Sequence, residues 1–220
     1  TIDNEVLTVS GRNGRIVEGV AKPVAVQEGT FTIQQLALRS IKPADISLKF
    51  AGEAQDLGTL INRPPFRALD KAQMGGGTFG GTGELDVTAR LSIAVADVDW
   101  TAAARLSGFS STQPVRGHKI SGADVAIEAG PREVAVKGKG RIDGLEANID
   151  LLVPVEEGQG ERRQDVELKV SAEELGKRGI DLGSLVSGQM VLKLAETPGG
   201  QSFDIDLTDT SVKLEQIGWE

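Results

Sequence analysis

The chain has 220 residues, with 24 lysines and arginines against 32 aspartates and glutamates, and its formal net charge is -8 at pH 7. This acidic balance disfavours nucleic acids and anionic membrane surfaces as partners, because both attract basic patches. Cysteine is absent, which excludes disulfides, thiolate metal sites and cysteine nucleophiles. Glycine is abundant at 28 residues and aromatic residues make up only 4%, a composition that favours strands and turns over long helices.

Alternating apolar and polar residues predict a succession of short strands along the chain. The first runs cover residues 31–33, 36–38 and 46–50. The longest alternation covers residues 84–93 and resumes over 98–106 after a predicted hairpin turn. Each run can bury one face of a sheet and leave the other in water.

Further alternating runs follow at the spacing of β-hairpins, over residues 123–127, 134–142, 147–153, 166–170, 190–194, 203–207 and 212–214. The turn pairs Gly130-Pro131 and Asp143-Gly144 separate three of them. Together the runs predict about a dozen strands in up-and-down order, with consecutive strands as antiparallel neighbours.

A strand followed by a short helical segment occurs twice. The run 46–50 precedes Asp-Leu-Gly-Thr-Leu-Ile at 56–61, and the run 166–170 precedes Asp-Leu-Gly-Ser-Leu-Val at 181–186. The repetition favours a protein assembled from modules.

Two regions of short helix are predicted in these units, near residues 56–73 and near 172–187. The first is interrupted at Pro64-Pro65, and the second opens on a capping box formed by Ser171 and Glu174.

The predicted fold class is therefore mainly β: a large, curved, antiparallel sheet shaped like a groove, built from repeated strand modules, with a few short helices. The first module is predicted over residues 1–155 and a second, partial module over 156–220, unless both belong to one continuous domain. Because each strand has one apolar face, that face needs a cover, which is a helix, a second sheet or a ligand.

No motif predicts a catalytic site. Gly75-x-Gly77-x-x-Gly80 has the letters of a dinucleotide fingerprint, but a helical stretch precedes it and a strand follows it, the reverse of what phosphate binding requires. His118 is the only histidine, lies in a polar connector, and has no G-x-S-x-G elbow to accompany it. We expect a non-enzymatic protein that holds no cofactor.

A spacing that suits a hard cation occurs at Asp204, Asp206 and Asp209. It lacks the glycine and the final glutamate of an EF-hand loop. Alternation places Asp204 and Asp206 opposite the apolar residues of their strand, which is typical of a solvated sheet face. We predict no metal site.

The apolar positions of the central strands are the candidate binding residues, as the lining of a groove. They are Leu85, Val87, Ala89, Leu91, Val98, Trp100, Ala102, Ala104, Leu106, Val125, Ile127, Ile149 and Leu151. Trp100 has two interpretations. It is either a core tryptophan beside small residues, or the wall of a groove that the neighbouring alanines leave roomy.

Several segments resemble the AsmA-like envelope proteins of Gram-negative bacteria, the YhdP and TamB type. They are residues 43–60, the Pro-Pro-Phe at 64–66, the glycine-rich turn into Gly-Glu-Leu-Asp-Val at 83–87, and residues 134–144. The resemblance spans roughly residues 30–215 and lies in pattern, without a catalytic motif to transfer. It implies an elongated, taco-shaped sheet whose concave apolar face takes part in moving phospholipids between the two membranes.

The resemblance also implies partners and a location. The partners are phospholipid acyl chains, further repeats of the same parent chain, and the inner membrane through a segment that this chain lacks; no nucleic acid is expected. The location is the periplasm. Because the chain begins at Thr1 without methionine, we expect it to be a piece of a longer protein.

Two other functions compete with this one. The first is a structural or interaction module of the envelope, whose sheet packs on itself or on a partner chain. The second is a hydrolase or sugar-active enzyme on a β scaffold, which the single His118 and the missing cysteines disfavour.

Overall fold

The computed structural model describes residues 2–3, 5–34, 36, 43–64, 67–71, 74, 77–92, 99–115, 117–155, 160, 162–180, 186–197 and 200–213. Within these residues the chain forms thirteen strands and three short helices. The strands are β1 (Ile2–Asp3), β2 (Val6–Ile16), β3 (Val24–Ile33), β4 (Pro43–Glu53), β5 (Phe79–Ser92), β6 (Asp99–Ser111), β7 (Ile120–Ala129), β8 (Glu133–Ile142), β9 (Leu145–Pro154), β10 (Arg163–Ser171), β11 (Val186–Thr197), β12 (Gly200–Asp206) and β13 (Thr210–Val212). The helices are α1 (Ala54–Ile61), α2 (Ala68–Lys71) and α3 (Ala172–Lys177).

Strands β1 to β12 lie side by side in chain order, each antiparallel to the next, and β13 pairs separately with β11. Among the described residues no ladder joins β1 to β12, so the sheet is open. The predicted mainly-β fold with an antiparallel sheet and a few short helices is confirmed. Up-and-down order follows from the short connections, because a hairpin places consecutive strands beside each other.

The register aligns apolar residues with apolar residues from strand to strand. One row runs Leu48, Val87, Ala102, Ala129, Val134 and Val153, from β4 to β9. Most intervening positions hold polar or charged side chains, with Ala103, Ala126 and Leu152 among the exceptions. They point to the opposite side because successive residues of a strand alternate. The sheet therefore has an apolar face and a polar face.

Three neighbouring strand pairs carry a β-bulge at the same end of the sheet, at residues 80–82, 106–109 and 121–124. Gly81 and Gly108 lie at these bulges with φ of +98° and +64°, in the left-handed region that glycine occupies without strain. A bulge bends its strand and increases the local twist. The aligned bulges are consistent with the predicted curved sheet.

Helices α1 and α3 cover the apolar face at this same end, since each follows an even-numbered strand. Leu57 of α1 packs with Val24, Phe50, Leu85 and Val87 of the sheet, and together they form the larger of the two apolar cores. The smaller core lies at α3 and is formed by Leu145, Val170 and Met190, with Leu175 of the helix packed against it.

Two side chains of α1 attach it to the sheet. Asp56 is 2% exposed, and its carboxylate accepts the backbone N–H groups of Ala21 at 2.7 Å and Lys22 at 3.2 Å. Gln55 Oε1 accepts the backbone N–H of Phe79, the first residue of β5, at 2.7 Å. These bonds satisfy buried polar groups and fix the helix over the strand ends.

The predicted helical regions are occupied in part. Helices α1 and α2 lie within 56–73 apart from the first two residues of α1, and α3 occupies the beginning of 172–187. The segment 181–185 lies outside the described residues. The division into two modules at residue 155 stays a prediction, although the sheet runs across this point through the pairing of β9 with β10.

Candidate functional site

The apolar face is the candidate site, and part of it lies outside both helix-covered cores. One of its rows crosses seven strands, from β6 to β12, and we call it the open row. Its residues are Leu106, Val125, Gly138, Ile149, Val166, Leu194 and Phe203. Neither core includes any of these residues among the described part of the chain. At the usual spacing of strands the row spans about 29 Å.

The side chains of the open row are half-buried until the sheet reaches its last strand. Val125 and Ile149 are half-buried among their neighbours on adjacent strands. At β12, Phe203 is 71% exposed and Ile205 is 55% exposed. Contiguous apolar surface of this kind is unusual on a protein that has no ligand or partner for it.

The middle of the open row is Gly138 in β8, which contributes no side chain. A Cβ atom built at this position would lie 2.9 Å from Cγ1 of Val125 and 2.2 Å from the backbone oxygen of Asp124. The glycine therefore allows β7 and β8 to approach closely there.

The predicted groove residues fall into three groups. Leu85 and Val87 belong to the core under α1, Ala102 and Ala104 pack against that core, and Ala89 is 9% exposed. The second group is half-buried and outside both cores: Trp100, Leu106, Val125, Ile127, Ile149 and Leu151. The backbone of Leu91 lies in β5, but its side chain and the whole of Val98 lie outside the described residues.

Sequence patterns do not separate these groups. Val87 and Ile127 both occupy apolar positions of alternating strands, yet α1 covers the first and neither helix-covered core includes the second. What distinguishes them is whether a helix follows a nearby strand in the sequence. A helix that directly follows a strand covers that strand and those close to it, and Val87 in β5 is next to β4, which α1 follows.

Cross-strand ion pairs lie on the polar face. Asp45 pairs with Arg90 at 3.2 Å, and Asp150 lies 3.2 Å from Lys137 and 3.3 Å from Arg163. All of these side chains are more than a third exposed, so each pair contributes little stability. Their effect is to keep one face of the sheet in water.

The side chain of His118 makes a hydrogen bond with Asp143 that the sequence analysis did not predict. Its Nδ1 lies 2.7 Å from Oδ2 of Asp143, and Oδ1 of Asp143 accepts the backbone N–H of Lys119 at 2.8 Å. These hydrogen bonds lower the pKa of Asp143, the bond from His118 first. The two residues are 25 positions apart, and the pairing of β7 with β8, which reaches Ile120 and Ile142, brings them together.

The aspartates of β12 follow the alternation that was predicted for them. Asp204 is exposed, and Oδ1 of Asp206 accepts the backbone N–H of Thr208 at 3.0 Å. Hydrogen bonds from the Thr208 side chain and backbone lower the pKa of Asp206. No group of three or more metal-ligating side chains occurs among the residues that the structure describes.

The described helices are also too short or too polar to span a membrane. No protein-family model matches the chain, and no curated protein matches it either.

Proposed function

We propose that the apolar face binds the acyl chains of phospholipids, and that the chain is a non-enzymatic, groove-forming segment of an envelope protein. The observation that carries this proposal is the open row, an apolar path across seven strands that lies outside both helix-covered cores. A bilayer core about 30 Å thick contains two acyl chains end to end. A row of about 29 Å is therefore longer than one chain lying across the strands.

The physical chemistry of the apolar face suits a ligand that slides. Each methylene removed from water contributes about 0.8 kcal/mol, so affinity grows with the length of chain that the face covers. Apart from Gly138, which has no side chain, the open row consists of aliphatic and aromatic side chains, and these offer no fixed hydrogen bond. A ligand held only by apolar contact can shift along the row without breaking directional bonds.

The wider role rests on the resemblance to AsmA-like proteins of the YhdP and TamB type. In that role the segment lies in the periplasm as part of a parent chain anchored in the inner membrane. Further repeats of the parent chain extend the sheet, and phospholipids move along the groove towards the outer membrane.

A second function is favoured by the exposed edge at β12. Phe203, Ile205 and Leu207 are exposed by 71%, 55% and 46%. A partner strand or partner chain that covers this edge would make the segment a structural or interaction module of the envelope.

Native mass spectrometry of the chain with dioleoyl phosphatidylethanolamine separates the two functions. We expect a lipid adduct on the unmodified chain, and its loss by tenfold or more in Val125→Asp, which places a charge in the open row. The matched control is Ala126→Asp, whose side chain faces the polar side between Arg105 and Lys137. Circular dichroism of both variants reports whether the sheet persists.

Equal lipid binding by the two variants, or no adduct on the unmodified chain, would contradict the acyl-chain proposal. Ala102 is a poorer position for this test. It packs against the core under α1, so a charge there would test stability instead of binding.

A further inference from the structure

The polar face has a hollow of about 400 Å³ over strands β3 to β6. Hydroxyl groups from all four strands line it: Thr30, Ser47, Thr88 and Thr101. Ile46, Ala89 and Trp100 form the row between the polar residues and also line the hollow. Because successive residues of a strand point to opposite sides, their side chains lie on the apolar face and the hydroxyl groups on the polar face. A ligand bound by the hydroxyl groups would therefore be separate from any lipid.

The register places these hydroxyl groups in one straight row. Thr30 is opposite Ser47, Ser47 opposite Thr88, and Thr88 opposite Thr101, while Ser10 of β2 extends the row by one strand. The hydroxyl oxygens of Thr88 and Thr101 lie 2.6 Å apart. At the usual strand spacing the five hydroxyls span about 19 Å.

The adjacent row adds one guanidinium between two carboxylates. Arg90 is opposite Asp45 on one side and Asp99 on the other, and its Nε lies 3.2 Å from Oδ1 of Asp45. All three residues line the hollow. Their carboxylates accept hydrogen bonds and the guanidinium donates them, which gives directional groups beside the hydroxyl row.

We propose that this hollow binds a neutral oligosaccharide that lies across the strands. Each serine or threonine hydroxyl both donates and accepts a hydrogen bond, as does each sugar hydroxyl, so the two can pair in either sense. The regular repeat of the row, one hydroxyl a strand, matches a ligand that itself repeats. An isolated polar molecule would use only one or two of these positions.

Charge argues against an anionic ligand in the hollow. Asp45 and Asp99 outnumber Arg90, and the whole chain carries a formal net charge of -8. Phosphates and acidic polymers would meet a like-charged surface. A neutral ligand escapes this repulsion and still uses the hydrogen-bonding groups.

Titration of the ¹⁵N-labelled chain with maltohexaose and with cellohexaose, followed by NMR, tests the proposal. We expect saturable shifts of backbone amides in β3 to β6 with at least one of the two hexasaccharides. Because the hydroxyl row contains no aromatic side chain on which a sugar could stack, the expected Kd is about millimolar. Replacing Thr88→Val removes one hydroxyl at nearly constant volume and should weaken binding about fivefold.

The matched control is Thr82→Val, an exposed threonine of the same strand and face that lies outside the hollow. It should bind as the unmodified chain does. The proposal is overturned if neither hexasaccharide gives saturable shifts in β3 to β6, or if Thr88→Val binds as tightly as Thr82→Val. The lipid measurement does not depend on either outcome, because the two sites are on opposite faces.

Discussion

The connections β4–α1–β5 and β10–α3–β11 have the same order of elements, but their helices differ in how many residues they bury. In α1, four residues are buried: Ala54, Asp56, Leu57 and Gly58. In α3, no residue is buried. Both helices start directly after an even-numbered strand and cover the same end of the apolar face. The comparison shows that the strand end sets where a helix lies, while tertiary contacts set how firmly it is held.

The two helices are also fixed by different means. The N-cap residue of α1 is Glu53, which makes no side-chain cap bond, and the helix is held instead by Asp56 and Gln55 through distant backbone groups. Helix α3 has a local capping box, in which Ser171 Oγ accepts from the Glu174 N–H at 3.2 Å and Glu174 accepts from the Ser171 N–H at 2.9 Å. The helix with the long-range hydrogen bonds, α1, is also the one that packs on the larger core.

The largest expected effect comes from removing the apolar contact of each helix. Leu57→Ala should lower the free energy of unfolding by about 3 kcal/mol, because Leu57 is 4% exposed in the core under α1. Leu175→Ala in α3 should cost roughly half as much, since that side chain is only half-buried. Urea unfolding of both variants measures the difference. Equal losses of unfolding free energy would show that the sheet holds α1 and α3 equally firmly.

The long-range attachment of α1 gives the next prediction. Asp56→Ala leaves the N–H groups of Ala21 and Lys22 without their acceptor and should cost about 2 kcal/mol. Hydrogen exchange of these two amides should become faster in Asp56→Ala by a larger factor than that of amides elsewhere in the sheet. Unchanged exchange at both amides would show that the carboxylate does not hold this loop.

The local cap of α3 gives the smallest effect and a pH dependence. Ser171→Ala should cost about 1 kcal/mol. The backbone hydrogen bond from Ser171 is the main cause that lowers the pKa of Glu174. A lowered folded-state pKa stabilises the fold above the ordinary glutamate pKa, and this contribution is lost as the pH falls through the lowered value.

Thermal unfolding at neutral and at acidic pH checks this sign. The stability difference between the unmodified chain and Glu174→Gln should be present at neutral pH and shrink on acidification. A difference that grows as the pH falls would contradict the role of the ionised Glu174 in the capping box.

Much of the fold was predictable because one-sided strands leave a period-2 pattern. The runs 46–50 and 166–170 fall within β4 and β10, and Ser171 with Glu174 marks the start of α3. Each of these signals involves residues close together in the chain, so it can be recognised from the sequence alone. Helix α1 begins at Ala54, two residues before the predicted start, because Asp56 occupies its first turn, where a carboxylate is favoured.

The sequence predicted which side chains lie on the apolar face, but not which of them the helices cover. Which residues α1 covers depends on Leu57 reaching over Gly83, where an added Cβ would lie 3.4 Å from Cδ1 of Leu57. The hydroxyl row over β2 to β6 depends on the register of five strands, and the pair of His118 with Asp143 depends on the pairing of β7 with β8. None of these relations has a signal within one strand.

The contrast between covered and uncovered parts of the apolar face is the basis of the lipid proposal. Val87 and Val125 are both valines of alternating strands, but only Val87 lies in the core under α1. If acyl chains bind this protein, they should contact Val125 and avoid its neighbour Ala126, which is exposed on the polar face.

The most direct test uses the fact that the chain contains no cysteine. Val125→Cys and Ala126→Cys can each be labelled with one bimane group and mixed with phosphatidylcholine that has bromine atoms on its acyl chains. We predict strong quenching at position 125 and little at position 126. Equal quenching at both positions, or none at position 125, would contradict an acyl chain on the apolar face.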